Sequence, residues 1–429
     1  MTKHVIYIIY LLGLSAIFSC SKEETVEENI PVRRTIIAYI TGDNNLSSNL
    51  NKDISEMVTG STNLSSDCRI IVYSDCNNAN PYMAEIKNGE KKIIYQYNNE
   101  IFSTSVDDMK NILQNIIDTY PSDEYALIMS GHGNGVIMED TVANSDYIRL
   151  YAYGFDNTNK DIKYSNGGIW INVPSLATVF SNLKTKDGDR LHFEYIFFDC
   201  CCMQTAEIAY ELRNYTDYII AAASEVPGSG APYNELVPVL GQDKSSVGAS
   251  IVDKYISGAS SYWKDHGCEG IAISVVKTNE MDKLLDITRK SLQELYDGSR
   301  LELSHYKSIY YYRGDESYDT PVFYDFKNIM LLNLSTASYQ QWLEQYDKTV
   351  IYKFTPSPSS SKKNPWHSDI GINFYDFSVT EDKYGGMGFF FPYTPYDKTE
   401  TKPTPIKSLN KTMFDYEWVR ALGWHDMGW

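Results

Sequence analysis

The sequence predicts an α/β protein: an α/β/α sandwich on a mainly parallel sheet, with a further C-terminal region appended. Three observations carry this. Continuous apolar runs, each about the length of a buried parallel strand, recur at Thr35–Ile40, Arg69–Tyr73, Ala126–Ser130, Tyr195–Asp199 and Tyr218–Ala222. Amphipathic helical stretches separate most of them, the order that covers a parallel sheet on both faces. Two of the runs end abruptly in residues able to do chemistry: His132 with Gly133 after one, Asp199 with Cys200, Cys201 and Cys202 after the other. Open α/β sheets bind ligands at the carboxyl ends of their strands, so an imidazole and a thiol brought to one edge make a nucleophile–base pair.

Taken in order, residues 1–20 read as a targeting segment outside the fold. Lys3 gives a short basic start, and the apolar run Val5–Phe18 is shorter than the ~18–20 residues that cross a bilayer. Ile17-Phe-Ser-Cys20 resembles a bacterial lipobox, in which Cys20 is lipidated and becomes the first mature residue. The following Ser21-Lys-Glu-Glu24 resembles an export signal of surface lipoproteins. Together they predict a chain anchored to the outer membrane through Cys20, surface-exposed or facing the periplasm. Residues 21–33 are a polar tether, 34–300 the main domain and 301–429 a region packed on it. Within the main domain, Gly42-Asp43-Asn44-Asn45 turns into a helix running to about Met57. Tyr82–Ile86 and Lys92–Tyr97 alternate as an edge hairpin. Helices are expected at Ser105–Tyr120, Val173–Leu183, Met203–Arg213, Val247–Trp263 and Glu280–Tyr296, from apolar residues at helical spacing. Gly270–Val276 is a further strand of the main sheet. The polar stretch Ile137–Gly168 is long enough to cover a site. Thr355–Ser361 is a linker, Gly385–Pro392 contains a strand, and Met413–Trp424 closes with a short helix.

Composition bounds the chemistry. With 429 residues and 43% hydrophobic content the chain builds a sizeable packed core. A net charge of −18 without a basic stripe excludes nucleic acid as a partner. The 35 tyrosines suit half-exposed surfaces that touch peptide or glycan, or reflect the composition of the source. Of seven cysteines, Cys20 goes to lipid, and a Cys68–Cys76 disulfide is conceivable. There is no Cys-x-x-Cys pair and no His cluster, so no metal and no cofactor are expected.

His132 lies between Gly131 and Gly133, which permit a sharp turn and close substrate approach. His266 follows Trp263-Lys-Asp265 at a helix end and lacks that context. Where a strand turns into a helix, successive side chains diverge, so at most one of Cys200, Cys201 and Cys202 faces the site. A thiol near the N-terminus of the Met203–Arg213 helix gains thiolate character from the helix dipole. Residue physics alone leaves the choice among the three open.

The pattern of apolar strand plus His-Gly, then apolar strand plus Asp-x-Cys, resembles the caspase-like clan of cysteine peptidases, and within it the clostripain family. Tyr39-Ile-Thr-Gly-Asp-Asn-Asn-Leu46 is similar to that family's first strand and turn. Asp199-Cys-Cys-Cys-Met203 with Glu207, and Ser224-Glu-Val-Pro-Gly-Ser-Gly-Ala-Pro-Tyr233, are similar to two further blocks. Phe323–Phe326 and Gly388–Pro392 agree more weakly. The resemblance implies a caspase-like fold and makes Cys201 the nucleophile, two residues after Asp199, with His132 as general acid/base. It implies an oxyanion site at the backbone N–H groups of Gly133 and Cys201, and a substrate pocket at Asp199, Ser224 and Ser229. Family members that cut after Arg or Lys carry a second acid near the Pro-Gly-x-Gly block, where Ser229 and Ala231 are neutral here. Cleavage of proteins or peptides after basic P1 residues, with relaxed selectivity, is therefore expected. The alternatives are an inactive surface lipoprotein that binds peptide or glycan through its tyrosines, and a clan member of gingipain or legumain type.

Overall fold

The computed structural model describes residues 32–77, 79–136, 152–157, 169–266, 270–315, 319–354, 365–366, 374–375, 377–399 and 408–429. Cys20, the expected tether, most of the 137–168 stretch and the linker after Phe354 lie outside the described residues.

Among the described residues fourteen strands are formed: β1 Val32–Gly42, β2 Cys68–Cys76, β3 Tyr82–Lys87, β4 Glu90–Gln96, β5 Ser122–Gly131, β6 Tyr153–Asp156, β7 Ile169–Ile171, β8 Phe193–Asp199, β9 Thr216–Ala222, β10 Ile273–Lys277, β11 Tyr311–Asp315, β12 Thr320–Asp325, β13 Val350–Lys353 and β14 Gly388–Phe389. Nine of these make one sheet in the order β13-β10-β9-β8-β5-β1-β2-β3-β4. The central run β9-β8-β5-β1-β2 is parallel, and the neighbours at both edges are antiparallel. The predicted hairpin is the β3–β4 edge.

Helices cover both faces. On one face α1 (Ser47–Gly60) packs Leu50, Ile54 and Met57 against Ile36, Ala38 and Ile40 of β1. On the other, α2 (Val106–Thr119), α3 (Val173–Ser181) and α4 (Ala206–Leu212) pack against the alternate residues Ile37 and Tyr39. The caps explain where these helices start. Ser105 accepts from the Asp108 N–H to open α2, and Asn172 accepts from the Ser175 N–H to open α3. Next come the short α5 (Tyr233–Leu236) and the long α6 (Lys244–His266), then α7 (Met281–Leu295), α8 (Phe326–Asn333) and α9 (Thr336–Thr349). The last helices are α10 (Leu409–Thr412) and α11 (Glu417–Ala421).

The C-terminal region is wound into the same body, because its β13 adds antiparallel to β10 of the main sheet. The expected Gly385–Pro392 strand contributes only Gly388–Phe389, paired with β12 in a separate three-stranded sheet. Aromatic stacking dominates there: Phe326 and Phe389 lie 4.0 Å apart with nearly parallel rings, and Trp342 stacks on Tyr346 at 4.7 Å. Many tyrosines are interior rather than surface groups: Tyr39, Tyr73, Tyr195, Tyr233, Tyr255 and Tyr312 are fully buried. Their hydroxyls are spent on protein partners, such as Tyr39 on Ser103 O and Tyr195 on Leu240 O. Cys68 and Cys76 stand at opposite ends of β2, about 26 Å apart at strand rise, and both thiols are free. A disulfide between them is excluded by that separation.

Candidate active site

Register brings the chemistry to one edge. Thr41 of β1 pairs with Gly131, and Ser130 pairs with Asp199. The carboxyl ends of β1, β5 and β8 therefore align, and the segments leaving them run side by side.

Gly131 and Gly133 shape the passage of His132 across that edge. Gly131 has φ +149°, and a Cβ there would lie 2.5 Å from Thr41 Oγ1. At Gly133 a Cβ would meet Cys201 O at 2.5 Å and Cys201 N at 3.0 Å, so the backbone of the histidine loop is pressed directly against that of Cys201. β6 braces the loop from outside: Gly154 N–H donates to His132 O at 2.8 Å, and Asn134 N–H donates to Ala152 O at 2.9 Å. The imidazole rests near Trp170, with ring centroids 5.8 Å apart. Its Nε2–H donates to Asn45 Oδ1 at 2.7 Å, which leaves Nδ1 as the basic nitrogen.

The structure separates the three thiols. Cys200 and Cys202 are fully buried, and burial pushes both thiols well above their ordinary range. Such thiols are inert packing groups. Cys201 alone is half-exposed. Its sulfur accepts from Val226 N–H at 3.3 Å, and its S–H donates to Val226 O at 3.7 Å. The expected Met203–Arg213 helix is formed but starts three residues later, as α4. Cys202 takes φ +62° and donates its N–H to Ser224 O, so the chain turns away, and α4 begins only at Ala206, capped by Thr205. The helix dipole, whose effect fades within a turn, does not reach the thiol.

Cys201 and His132 line one cavity of about 60 Å³ together with Asp53, Asp199, Val226 and Gly230. Asp199 is held from three sides: Ala231 N–H at 3.1 Å and Tyr233 O–H at 2.9 Å on Oδ2, and Tyr255 O–H at 3.2 Å on Oδ1. Burial raises its pKa, and these donors oppose the rise. Ser229 lies beside this cavity, in an open depression of about 430 Å³ that shares Gly230 and is also lined by Lys52 and Glu56. Ser224 is not a cavity residue. Its buried hydroxyl donates to Glu225 O and accepts from Ala272 N–H, tying the end of β9 to the segment before β10. His266 ends α6, and its side chain lies outside what the structure describes.

Two residues escaped the sequence reading. Asn45, read as a turn residue, orients His132. Asp53, read as part of an ordinary helix, faces the cavity beside Asp199: a Cβ on Gly230 (φ +64°) would lie 2.8 Å from Asp53 Oδ2 and 3.1 Å from Asp199 Oδ2. A second carboxyl therefore lines the cavity, and it comes from α1 rather than from the Pro-Gly-x-Gly segment. A signal for it existed, since Leu50, Asp53, Ile54 and Met57 fall at the i, i+3, i+4, i+7 spacing of one buried stripe. No group of three or more potential metal ligands occurs among the described residues.

The clostripain family profile matches residues 38–380. Clostripain of Hathewaya histolytica is 25% identical over 230 residues, 47% of this chain and 41% of that protein, so the match spans less than half of clostripain. Among solved structures, a secreted C11 cysteine protease from Bacteroides thetaiotaomicron, in complex with an irreversible peptide inhibitor, superposes with a TM-score of 0.69 at 25% identity. That superposition covers 92% of this chain and 99% of that one. An inactive zymogen C11 protease from Parabacteroides distasonis has the same fold, with a TM-score of 0.66 at 22% identity over 91% of this chain and 98% of that one. The chain belongs to the clostripain family of cysteine peptidases, with a caspase-like fold.

Proposed function

We propose that the protein is a cysteine endopeptidase that uses a Cys201–His132 dyad to cleave after basic P1 residues. One observation carries the reading: the only solvent-reachable thiol of the three shares a small cavity with an imidazole whose other nitrogen is fixed by Asn45, and with two buried carboxylates. In the reaction, His132 Nδ1 takes the Cys201 proton and the thiolate attacks the scissile carbonyl. The N–H groups of Gly133 and Cys201, on two backbone segments that lie in contact, receive the developing oxyanion. His132 then protonates the leaving amine, and water hydrolyses the thioester with His132 acting again as base. A guanidinium or ammonium entering beside Asp199 meets negative charge in a dry site, where charge-assisted hydrogen bonds are strongest.

The inactive-binder alternative loses its main support, because the tyrosines it would use are largely interior. Attachment to the outer membrane through lipidated Cys20 belongs to the same reading and rests on the sequence. Cys20→Ser should move the protein out of the membrane fraction, and retention there would refute the anchor.

The test is a panel of peptides that differ only at P1. Arg and Lys should be cleaved well, norleucine poorly and Asp least, with Cys201→Ala inactive on all of them. Preference for an acidic P1 would overturn the pocket, and turnover by Cys201→Ala would overturn the dyad.

A further inference from the structure

The two pocket acids are not equivalent. Asp199 already receives three hydrogen bonds from the protein, spread over both of its oxygens. Asp53 is only 1% exposed, yet neither of its carboxylate oxygens has a hydrogen-bond partner. A buried acceptor without a donor costs about 1–3 kcal/mol, and more if charged. Such a group persists where a ligand completes it. The neighbouring cation does not do so: Lys52 pairs with Glu56 at 3.2 Å. Glu56 in turn accepts from Tyr233 N–H at 3.2 Å.

We propose that Asp53 is the residue that receives the P1 cation, that Asp199 is its fixed negative neighbour, and that the pair selects a guanidinium over an ammonium. The proposal rests on the basic-P1 reading above and assigns its specificity to a named side chain. Two free oxygens on one carboxylate match the parallel N–H groups of a guanidinium, whereas an ammonium acts as a point charge and uses only part of that acceptor set. Asp199 is locked in place by Tyr233, Tyr255 and Ala231, and so supplies field rather than a fork. Gly230 is required at this point, since any side chain there would fill the space between the two acids.

The pairing of the two acids has a consequence for pH. Asp53 faces Asp199 from β8, Glu56 and Lys52 from its own helix, Tyr233 from α5 and Tyr255 from α6. His132 and Cys201 line the same cavity. Burial, then the Asp199 and Glu56 charges, push Asp53 up to about 9, so it holds a proton at neutral pH. A P1 cation must displace that proton, and binding of basic substrates therefore strengthens as pH rises toward 9, while binding of neutral ones does not.

The test compares wild type, Asp53→Asn and Asp199→Asn on otherwise identical peptides with Arg, Lys or norleucine at P1. In Asp53→Asn the Arg-to-norleucine ratio of kcat/KM should fall about 100-fold, the scale of truncating one partner of a buried charge pair. The Arg-specific rise toward pH 9 should vanish with it, and the Arg-to-Lys ratio should move toward unity. Inhibition by butylguanidinium should weaken in parallel, a readout independent of turnover. Because Asn is isosteric, continued alkylation of Cys201 by iodoacetamide reports an intact site. An unchanged selectivity ratio and pH limb in Asp53→Asn, with wild type preferring Arg, would overturn the role of Asp53 alone. A wild type that prefers Lys to Arg would overturn the fork. A wild type with no preference for basic P1 would overturn the parent reading as well.

Discussion

Asp53 and Asp325 are both aspartates with almost no exposed surface, yet the protein treats them in opposite ways. Asp325, at the end of β12, is surrounded by donors. It accepts from Asn328 N–H at 2.8 Å, Gly385 N–H at 2.8 Å, Gly386 N–H at 3.2 Å and the Tyr312 hydroxyl. It caps α8 and pins the Gly385-Gly386 turn that introduces β14. Asp53 has no donor at all. The contrast separates two uses of a buried charge. A carboxylate whose lone pairs are all answered by the protein holds the fold together, while one left unanswered at a cavity wall waits for a ligand.

The comparison breaks first at Asp325. Asp325→Ala leaves the Asn328 and Gly385 N–H groups and the Tyr312 hydroxyl without this acceptor in an aromatic interior and should cost about 3–5 kcal/mol of stability. Denaturant unfolding measures this, and a loss below about 1 kcal/mol would mean that the knot is ornamental. At Asp53 the sign reverses. Its folded pKa of about 9 lies far above the usual carboxylate value, so the native state binds the proton more tightly than the unfolded chain does. The stability associated with it is fully present below about pH 4 and is lost progressively as pH rises toward 9. Asn carries no such penalty. Asp53→Asn should therefore match wild type near pH 4 and exceed it by a margin that widens as pH rises toward 8, a gain in stability bought with selectivity. A gap that stays flat with pH would contradict the buried, unanswered state of Asp53. The smallest effects belong to the inert thiols: Cys200→Ala and Cys202→Ala should each cost about 1 kcal/mol and keep most of the activity.

Legibility in the sequence followed the same division. The parallel sheet, and the His132 and Cys201 strands, were readable because continuous apolar runs ending at Gly-His-Gly and Asp-x-Cys carry both the strand and its chemistry locally. The start of the helix after Cys202 was misread because a positive φ at a cysteine has no mark in the sequence, and the extra turn moved the start of α4 to Ala206. Ser224 lies in the right segment, but its side-chain direction depends on the contact with Ala272, 48 residues away. Asp53 and Asn45 were invisible as site residues for a different reason: each faces the site only through the β1–β5–β8 register, a long-range fact. Asp53 did break a buried helical stripe, and a charge in that position is the kind of local conflict that marks function.

Labelling with a peptidyl chloromethyl ketone bearing Arg at P1, followed by peptide mapping in a mass spectrometer, tests the central claim most directly. The account predicts one adduct, on Cys201, lost in His132→Ala and strongly slowed in Asp53→Asn. An adduct on Cys200 or Cys202, or labelling of Cys201 that is undiminished without His132, would contradict it.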